Sequence, residues 1–548
     1  MNFLHPFQKD ILNRCLEKKS GGLSLPMGSG KTLISLCLAL EQTKESKKPI
    51  LIVCEKSLIG SWINEIEKFF KDTLKYQVFH GNYIKQIHTW KMNPDTKVII
   101  TTSNMIGKYY KYNFLNQKLI KSIIRNVGGY YNQLQTSINT YHPPKNEPFL
   151  APLFGEQFLH ATNWGCVLID EAQNFTNINT QVCRGIISLC SDYRWALSGT
   201  LFNEPKIERI LGYYMMIQDD TVPNNEPDLS KLVYSYNFKG LLGTTIHEKE
   251  NKMFVDKPTL NHKIISHDMT KEEARLYLSF KEIIRTINKQ VNKYKRMGDK
   301  NSVRMFSSYL MSMLTYLRQA IINPLIPITN VILDTLDFKN KSGLSELIMD
   351  SLQGLNLIEW LNNEENVISS RMKKIIETSN EHKDEKIVVF SCFRKPLELL
   401  KNYLGERSVF TISSKDDIKK RKKIVSEFEK TNNGILLLTY NIGSCGLNLQ
   451  CASTILLVDF WWNASSTEQA IARVFRFGQK AKTINIYFFT SNTGIEESIL
   501  KKQLTKSSAI KELQYGSIKT YVSKIRIQDI IRILNREDNE NILHKIYQ

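Results

Sequence analysis

PMGSGKT at residues 26–32, running directly into LISLCLALEQTK at 33–44, decides how the first half of this chain is read. Gly28 and Gly30 allow backbone amides to approach an anion with no Cβ in the way, and Ser29 lies between them in the same cradle. Lys31 can reach the outer phosphates of a nucleotide, and the Thr32 hydroxyl can ligate magnesium. A helix beginning here adds the positive end of its dipole. The full phosphate-loop spacing asks for a glycine at 25, where Leu25 stands. A chance Gly-rich turn would look the same over seven residues. What argues against chance is CVLID at 166–170, an apolar strand ending on an acid and followed by Glu171.

Asp170 can hold magnesium through water, and Glu171 can orient and deprotonate an attacking water. An Asp-Glu pair alone is usually a solvated turn; it gains meaning from Lys31. The implied ligands are ATP and Mg2+. Gln8, in LHPFQKDIL, could read N6 and N7 of adenine, although by itself it reads better as an exposed helix-start glutamine.

Further apolar runs show the setting. ILIVC (50–54), KVIITT (97–102) and RWALSGT (194–200) join CVLID as buried parallel strands, continuous and rich in Ile, Val and Leu. Helical stretches between them make an α/β domain with ligands at the strand carboxyl ends. A second α/β region starts near 368, with KIVVFSCF (386–393), SVFTIS (408–413), GILLLTY (434–440), STILLVD (453–459) and TINIYFF (483–489). The expected division is a first ATP-binding domain over 1–270 with an insertion at about 107–163. A helical protrusion and linker follow over 271–366, then a second domain over 367–500 and a basic helical tail over 501–548.

The chain has 548 residues, too many for one core, and 42% of them are apolar. Its 74 Lys plus Arg against 54 Asp plus Glu give +20, which suits a polyanionic partner but also a solvated basic surface. Nine cysteines without a C-x-x-C pair suggest reduced thiols inside a cell, and no metal spacing suggests a structural zinc. The start has no signal-peptide core, and no apolar run reaches membrane length, so no membrane partner is expected.

QAIARVFRFGQ (469–479) is the second sharp signal. Arg473 and Arg476, three apart, would share one helical face and could grip a transferring phosphoryl group. The competing reading is a salt-bridged surface helix, weakened by Phe475 and Phe477 and by the scarcity of nearby carboxylates.

These strings together resemble the superfamily 2 nucleic-acid-dependent ATPases, and within them the SWI/SNF-type family of chromatin remodellers and double-stranded-DNA translocases. LHPFQ (4–8) is similar to the adenine-recognition motif and PMGSGKT to motif I, although Leu25 and Pro26 replace the family's usual acidic pair. ILIVCEKSLIGSWINEIEKF (50–69) is similar to motif Ia. DEAQNFTN (170–177) resembles motif II with Gln173 where His is commoner, and SGTLFNE (198–204) resembles motif III with Ser198 for Thr and Leu201 for Pro. NIGSCGLNLQCA (441–452) resembles motif V through Gly443, Gly446, Leu447 and Asn448. DFWWN (459–463) and QAIARVFRFGQ resemble the segment before motif VI and motif VI itself, and LRQAIINP (317–324) echoes a family helix.

The resemblance implies two RecA-like parallel-sheet lobes in tandem with helical insertions. Lys31, Thr32, Asp170 and Glu171 would come from the first lobe, and Arg473 and Arg476 from the second, with Gly446 beside the nucleotide. It implies tracking of double-stranded DNA through phosphates, with Lys56, Ser57, Thr102, Ser103, Asn441 and Ser444 as candidate contacts. The chain is expected to be a near-minimal motor, lacking reader modules. That suits termination, polymerase displacement, repair or a viral transcription role, with RNA polymerase or chromatin proteins as further partners and a nuclear or viral-factory location. A strand-separating DNA or RNA helicase would share every ATP motif, and a non-catalytic DNA-binding scaffold is the third reading.

Overall fold

The computed structural model describes residues 3–26, 28–46, 48–82, 92–114, 158–199, 207–218, 245–247, 258–336, 343–352, 368–443, 447–461, 464–476, 478–491, 493, 495, 496 and 499. Most of the expected 107–163 insertion and the whole 501–548 tail lie outside the described residues. The chain divides into two compact units between Lys257 and Pro258.

The first unit is built on a sheet of seven strands: β1 (Ser20–Ser24), β2 (Ile50–Cys54), β3 (Tyr76–Phe79), β4 (Val98–Thr102), β5 (Asn163–Ile169), β6 (Cys190–Ser198) and β7 (Thr245–His247). Their order is β3-β4-β2-β5-β6-β1-β7, and every pairing is parallel. Side-chain alternation sends Leu51, Val53, Val167 and Ile169 into one core. Ile50, Ile52, Cys54, Cys166 and Leu168 enter the core on the opposite face. A parallel sheet needs cover on both faces, which is why these strands read as unbroken apolar runs.

The second unit carries β8 (Thr259–His267), β9 (Ile387–Ser391), β10 (Val409–Thr411), β11 (Ile435–Thr439), β12 (Thr454–Leu457) and β13 (Thr483–Ser491). Their order is β10-β11-β9-β12-β13-β8, again wholly parallel. Both lobes are thus RecA-like α/β layers.

β8 corrects the expected boundary at 270. All nine of its residues pair with β13, from Thr259 with Thr483 to His267 with Ser491, so the strand belongs to the second sheet. The two long helices that follow, Lys271–Arg296 and Lys300–Ile322, fall within the second unit.

Their root is fixed by hydrogen bonds. Thr270 and Glu273 form a capping box at the start of Lys271–Arg296. The same Glu273 carboxylate accepts from the Ser370 amide and hydroxyl at 2.8 Å each, at the start of helix Ser370–Glu381. Ser369 caps that helix and also donates to the Ile322 carbonyl at 2.5 Å.

Deeper in this unit, Arg371 and Glu496 form a buried bidentate pair at 2.7 and 2.6 Å. Burial alone would raise the Glu496 carboxyl, but the Arg371 charge and its hydrogen bonds hold it below the ordinary value. Arg371→Met therefore leaves an unpaired buried charge. It should destabilise the second unit by about 3–5 kcal/mol, while Arg371→Met with Glu496→Leu should recover most of the loss. Denaturant unfolding of the full chain checks this.

Candidate nucleotide site

The first unit's site forms where adjacent strands end. Helix α1 (Pro6–Leu16) precedes β1, and α2 (Lys31–Gln42) follows the loop after it. Leu25, opening that loop, donates its amide to the Ser198 carbonyl at the end of β6 at 3.1 Å. Gly28 and Gly30 both take φ of +80°, the left-handed region that favours glycine. A Cβ on Gly30 would stand 2.4 Å from Gln8 Nε2, so a larger residue there would also push the Gln8 amide off the loop.

The cradle fits a phosphate chain. No side chain caps the first turn of α2, and no acid lies in it, which leaves its amides for an anion. Ser29 Oγ is buried without a hydrogen-bond partner. Lys31 Nζ meanwhile donates to the Leu25 and Pro26 carbonyls of its own loop at 3.0 and 3.2 Å. Thr32 opens the same helix one residue on. Gln8 lies against the loop: its Nε2 donates to the Ser29 carbonyl at 3.0 Å, and its Oε1 accepts from the His5 amide at 3.0 Å. Both ends of this amide are engaged within the chain, so reading adenine requires an exchange of partners.

Asp170 sits just past β5, buried. Its Oδ2 accepts from Trp62 Nε1 at 2.8 Å and its Oδ1 from the Glu171 amide at 3.0 Å. Trp62 lies on α3 (Ile59–Phe69), fully buried, and sequence reading gave it no role at this site. Burial and the Glu171 charge push the Asp170 carboxyl up to about 7, against the pull of Trp62 and Lys31. Lys31 offsets only part of that rise, and a carboxylate so placed suits a divalent metal.

Glu171 takes φ of +49°, a left-handed conformation for a non-glycine residue, and so turns out of the strand direction. Its Oε2 accepts from Gln173 Nε2 at 2.5 Å, and Gln173 Oε1 accepts from Ser198 Oγ at 2.6 Å. A hydrogen-bonded relay thus joins the ends of β5 and β6. Leu201, the departure expected to matter in motif III, lies outside the described residues.

Of the candidate nucleic-acid contacts in this unit, Lys56 is exposed and Ser57 half-buried in the turn Lys56–Leu58 after β2. Thr102 is corrected: it is buried, and its hydroxyl accepts from the Met105 amide at 3.3 Å, capping helix Ser103–Phe114. Ser103 opens that helix, half-buried. Thr102 also lies 3.4 Å from His80 Nδ1. The His80 ring is held below its usual value by burial and by the charges of Lys56 and Lys108. His80 and Lys108 thus gather with Lys56 at the ends of β2, β3 and β4. The sequence reading missed both.

In the second unit, Asp459 is buried at the end of β12. It accepts from Ser391 Oγ and the Cys392 amide at 2.7 Å each, joining β12 to β9. Tyr440 Oη donates to its carbonyl at 2.8 Å, which adds the end of β11. Arg318 donates to the Phe460 carbonyl at 2.6 Å and to Cys392 Sγ at 3.3 Å. This explains LRQAIINP as a brace under the strand ends.

Arg473 lies in the last turn of helix Ala464–Val474, and its carbonyl accepts from the Leu449 amide at 3.0 Å. Arg476 falls beyond the helix end, so the shared helical face expected of the pair is corrected. Both arginines are half-buried. Gln479 Nε2 ties this segment to the Ala452 and Val474 carbonyls at 3.1 and 3.0 Å. Asn441 is exposed in the short helix Tyr440–Gly443, and Ser444 and Gly446 lie outside the described residues.

Two family matches coincide with these two sites. Residues 10–209 match the SNF2-related domain, and residues 369–478 match the helicase conserved C-terminal domain. The chain belongs to the SNF2-related, helicase-like ATPases. It is similar to "Putative helicase 172L" of Invertebrate iridescent virus 6, 26% identical over 88% of this chain and 83% of that one. It is also similar to the DNA repair and recombination protein RAD54-like of Drosophila pseudoobscura pseudoobscura, 23% identical over 92% of this chain and 63% of the relative. Among solved structures it is similar to the Sulfolobus solfataricus SWI2/SNF2 ATPase core in complex with dsDNA. That match has 19% identity and a TM-score of 0.35, covering 95% of this chain and 97% of that one. The chain thus spans less than two thirds of the RAD54-like relative.

The Trp62 bond yields a direct expectation. Trp62→Phe keeps the buried ring but strips the donor from Asp170 Oδ2. Outer partners of metal ligands are typically worth about 10- to 100-fold in metal affinity. Magnesium titration of nucleotide binding should show a rise of about tenfold in the concentration needed.

Proposed function

We propose that this SNF2-related ATPase translocates on double-stranded DNA, using ATP hydrolysis to displace or remodel bound proteins. The observation that carries the proposal is the arrangement along the carboxyl edge of the first sheet. The phosphate cradle follows β1, the acidic pair follows β5, and the cations Lys56 and Lys108 collect at β2 to β4 beside the half-buried His80. One edge thus offers a nucleotide site beside a cationic surface fit for a sugar-phosphate backbone. Contacts of this kind grip phosphates without reading bases. A relative named for DNA repair and recombination agrees with this reading.

In the proposed mechanism, the α2 amides, Ser29 and Lys31 bind the phosphates, with Lys31 exchanging its loop carbonyls for phosphate oxygens. Thr32 and Asp170 would hold magnesium, which when bound neutralises charge on the transferring phosphoryl group. Glu171, held by Gln173, takes the proton from the attacking water. The Gln173–Ser198 relay would carry the state of Glu171 to the end of β6. Arg473 and Arg476 are assigned to the developing charge, a role that requires the two lobes to close. Asn441, Ser444 and Ser57 are assigned to the DNA backbone. Eight described cysteines are free thiols, in keeping with a reducing compartment, which the nucleus or a viral factory would provide.

Lys31→Ala and Glu171→Gln should abolish phosphate release, the latter with ATP binding intact. Arg476→Ala should slow hydrolysis on the order of 10³-fold. With wild-type protein, duplex DNA should stimulate turnover more than single strands or RNA, and triplex displacement should proceed without duplex unwinding. Unwinding without triplex displacement would instead establish a strand-separating helicase, and no DNA stimulation at all would favour a scaffold.

A further inference from the structure

The second unit carries a helical hairpin whose outer half has no role in the core. Name its arms α4 (Lys271–Arg296) and α5 (Lys300–Ile322). The last buried residue of α4 is Ile287, and the first of α5 is Leu310. Everything between them is half-buried or exposed. At about 1.5 Å per residue, the arms reach some 14 Å past the body they pack on.

This tip is nonetheless well built. Asp299 caps α5 through the Asn301 and Ser302 amides at 3.1 Å each and the Ser302 hydroxyl at 2.6 Å. Gly298 makes the turn with φ of +75°. Tyr294 and Phe306 stack across the hairpin with ring centroids 5.4 Å apart, and Phe306 meets Tyr309 edge-on at 5.8 Å.

Its charge is one-sided. Lys289, Lys293, Lys295, Arg296, Lys300 and Arg304 are all exposed, and the one acid between residues 288 and 309 is Asp299, already engaged as the cap. Lys289, Lys293 and Arg296 follow i, i+4, i+7 spacing on one face of α4, and Lys300 and Arg304 follow i, i+4 on α5. Like charges so placed each weaken a helix by a few tenths of a kcal/mol. The α4 cations gain some of this back from the negative end of that helix dipole. Lys300 and Arg304 do not, because they occupy the positive end of α5. Folding alone does not account for cations there.

We infer that the tip of the α4–α5 hairpin is a second docking surface for the phosphate backbone of duplex DNA, separate from the cationic edge of the first sheet. The inference rests on the proposal that duplex DNA is the track. Duplex DNA suits the tip because the cations spread over both arms on long stems, and because the aromatic rings are spent on each other rather than offered to unstacked bases. An acidic protein is the competing partner, since Met297 and Met305 are also exposed at the tip.

The test compares full-length wild type with Lys289→Gln/Lys293→Gln/Lys300→Gln/Arg304→Gln. Affinity for a 40-base-pair duplex is measured across a salt series, alongside ATP turnover without DNA. The variant should bind about tenfold or more weakly at low salt, and the slope of log K against log salt should shrink by about two to four. DNA-free turnover and circular dichroism should not change, and the four Lys/Arg exchanges (each Lys→Arg, Arg304→Lys) should retain the wild-type slope. An unchanged slope and affinity in the Gln variant would overturn the inference and leave an acidic protein as the partner. Failure of the translocase reading shows separately, as wild-type turnover that no duplex stimulates.

Discussion

Each lobe of this protein is organised by a buried aspartate at the end of a central parallel strand. Asp170 follows β5 and Asp459 follows β12. Both carboxyls are raised by burial, and both accept hydrogen bonds from residues distant in the chain. The difference lies in what surrounds them. Asp459 has Arg318 nearby and two donors from the end of β9, so its charge is spent on structure. Asp170 has a neighbouring carboxylate as well, and Lys31 offsets only part of the burial. The same device therefore makes a joint in one lobe and, in the proposed mechanism, a magnesium ligand in the other.

The parallel topology makes this possible. In a wholly parallel sheet, every loop after a strand leaves from the same edge, so residues far apart in sequence arrive together. Trp62 reaches Asp170 across 108 positions, and Arg318 reaches Phe460 across 142. Buried polar groups with such partners hold the edge together, beside a glycine-rich loop on which the proposed mechanism has Lys31 exchange its carbonyls for an anion.

Sequence reading found the strands that announce themselves by apolar side chains and missed those that do not. ILIVC, KVIITT, CVLID and the five runs of the second lobe all contain or abut observed strands. β1, SGGLS, is buried along nearly its whole length, yet two glycines leave no apolar signature. β8, TLNHKIISH, is half-exposed at the sheet edge, so its polar residues read as loop and the lobe boundary was drawn too late. The phosphate loop and the acidic pair were legible because their chemistry is local. Trp62, His80 and the Gln173–Ser198 contact were not, because each depends on strand order. The placement of Arg476 failed on a helix end that i, i+3 spacing cannot reveal.

Gln173 shows how a departure from the family pattern can preserve a role. Histidine, commoner there, bonds on two sides but titrates near neutrality. An amide also bonds on two sides, donating through Nε2 to Glu171 and accepting through Oε1 from Ser198. It carries no charge in any state, so it adds no cation beside the carboxylate proposed as the general base. The direction of the relay is fixed as well: the Ser198 hydroxyl donates, the amide passes the bond on, and the Glu171 carboxylate accepts. Movement at the end of β6 would then reach Glu171 as a change in geometry rather than in protonation. A serine in place of threonine at 198 fits the same scheme, since the hydroxyl is the group that bonds Gln173.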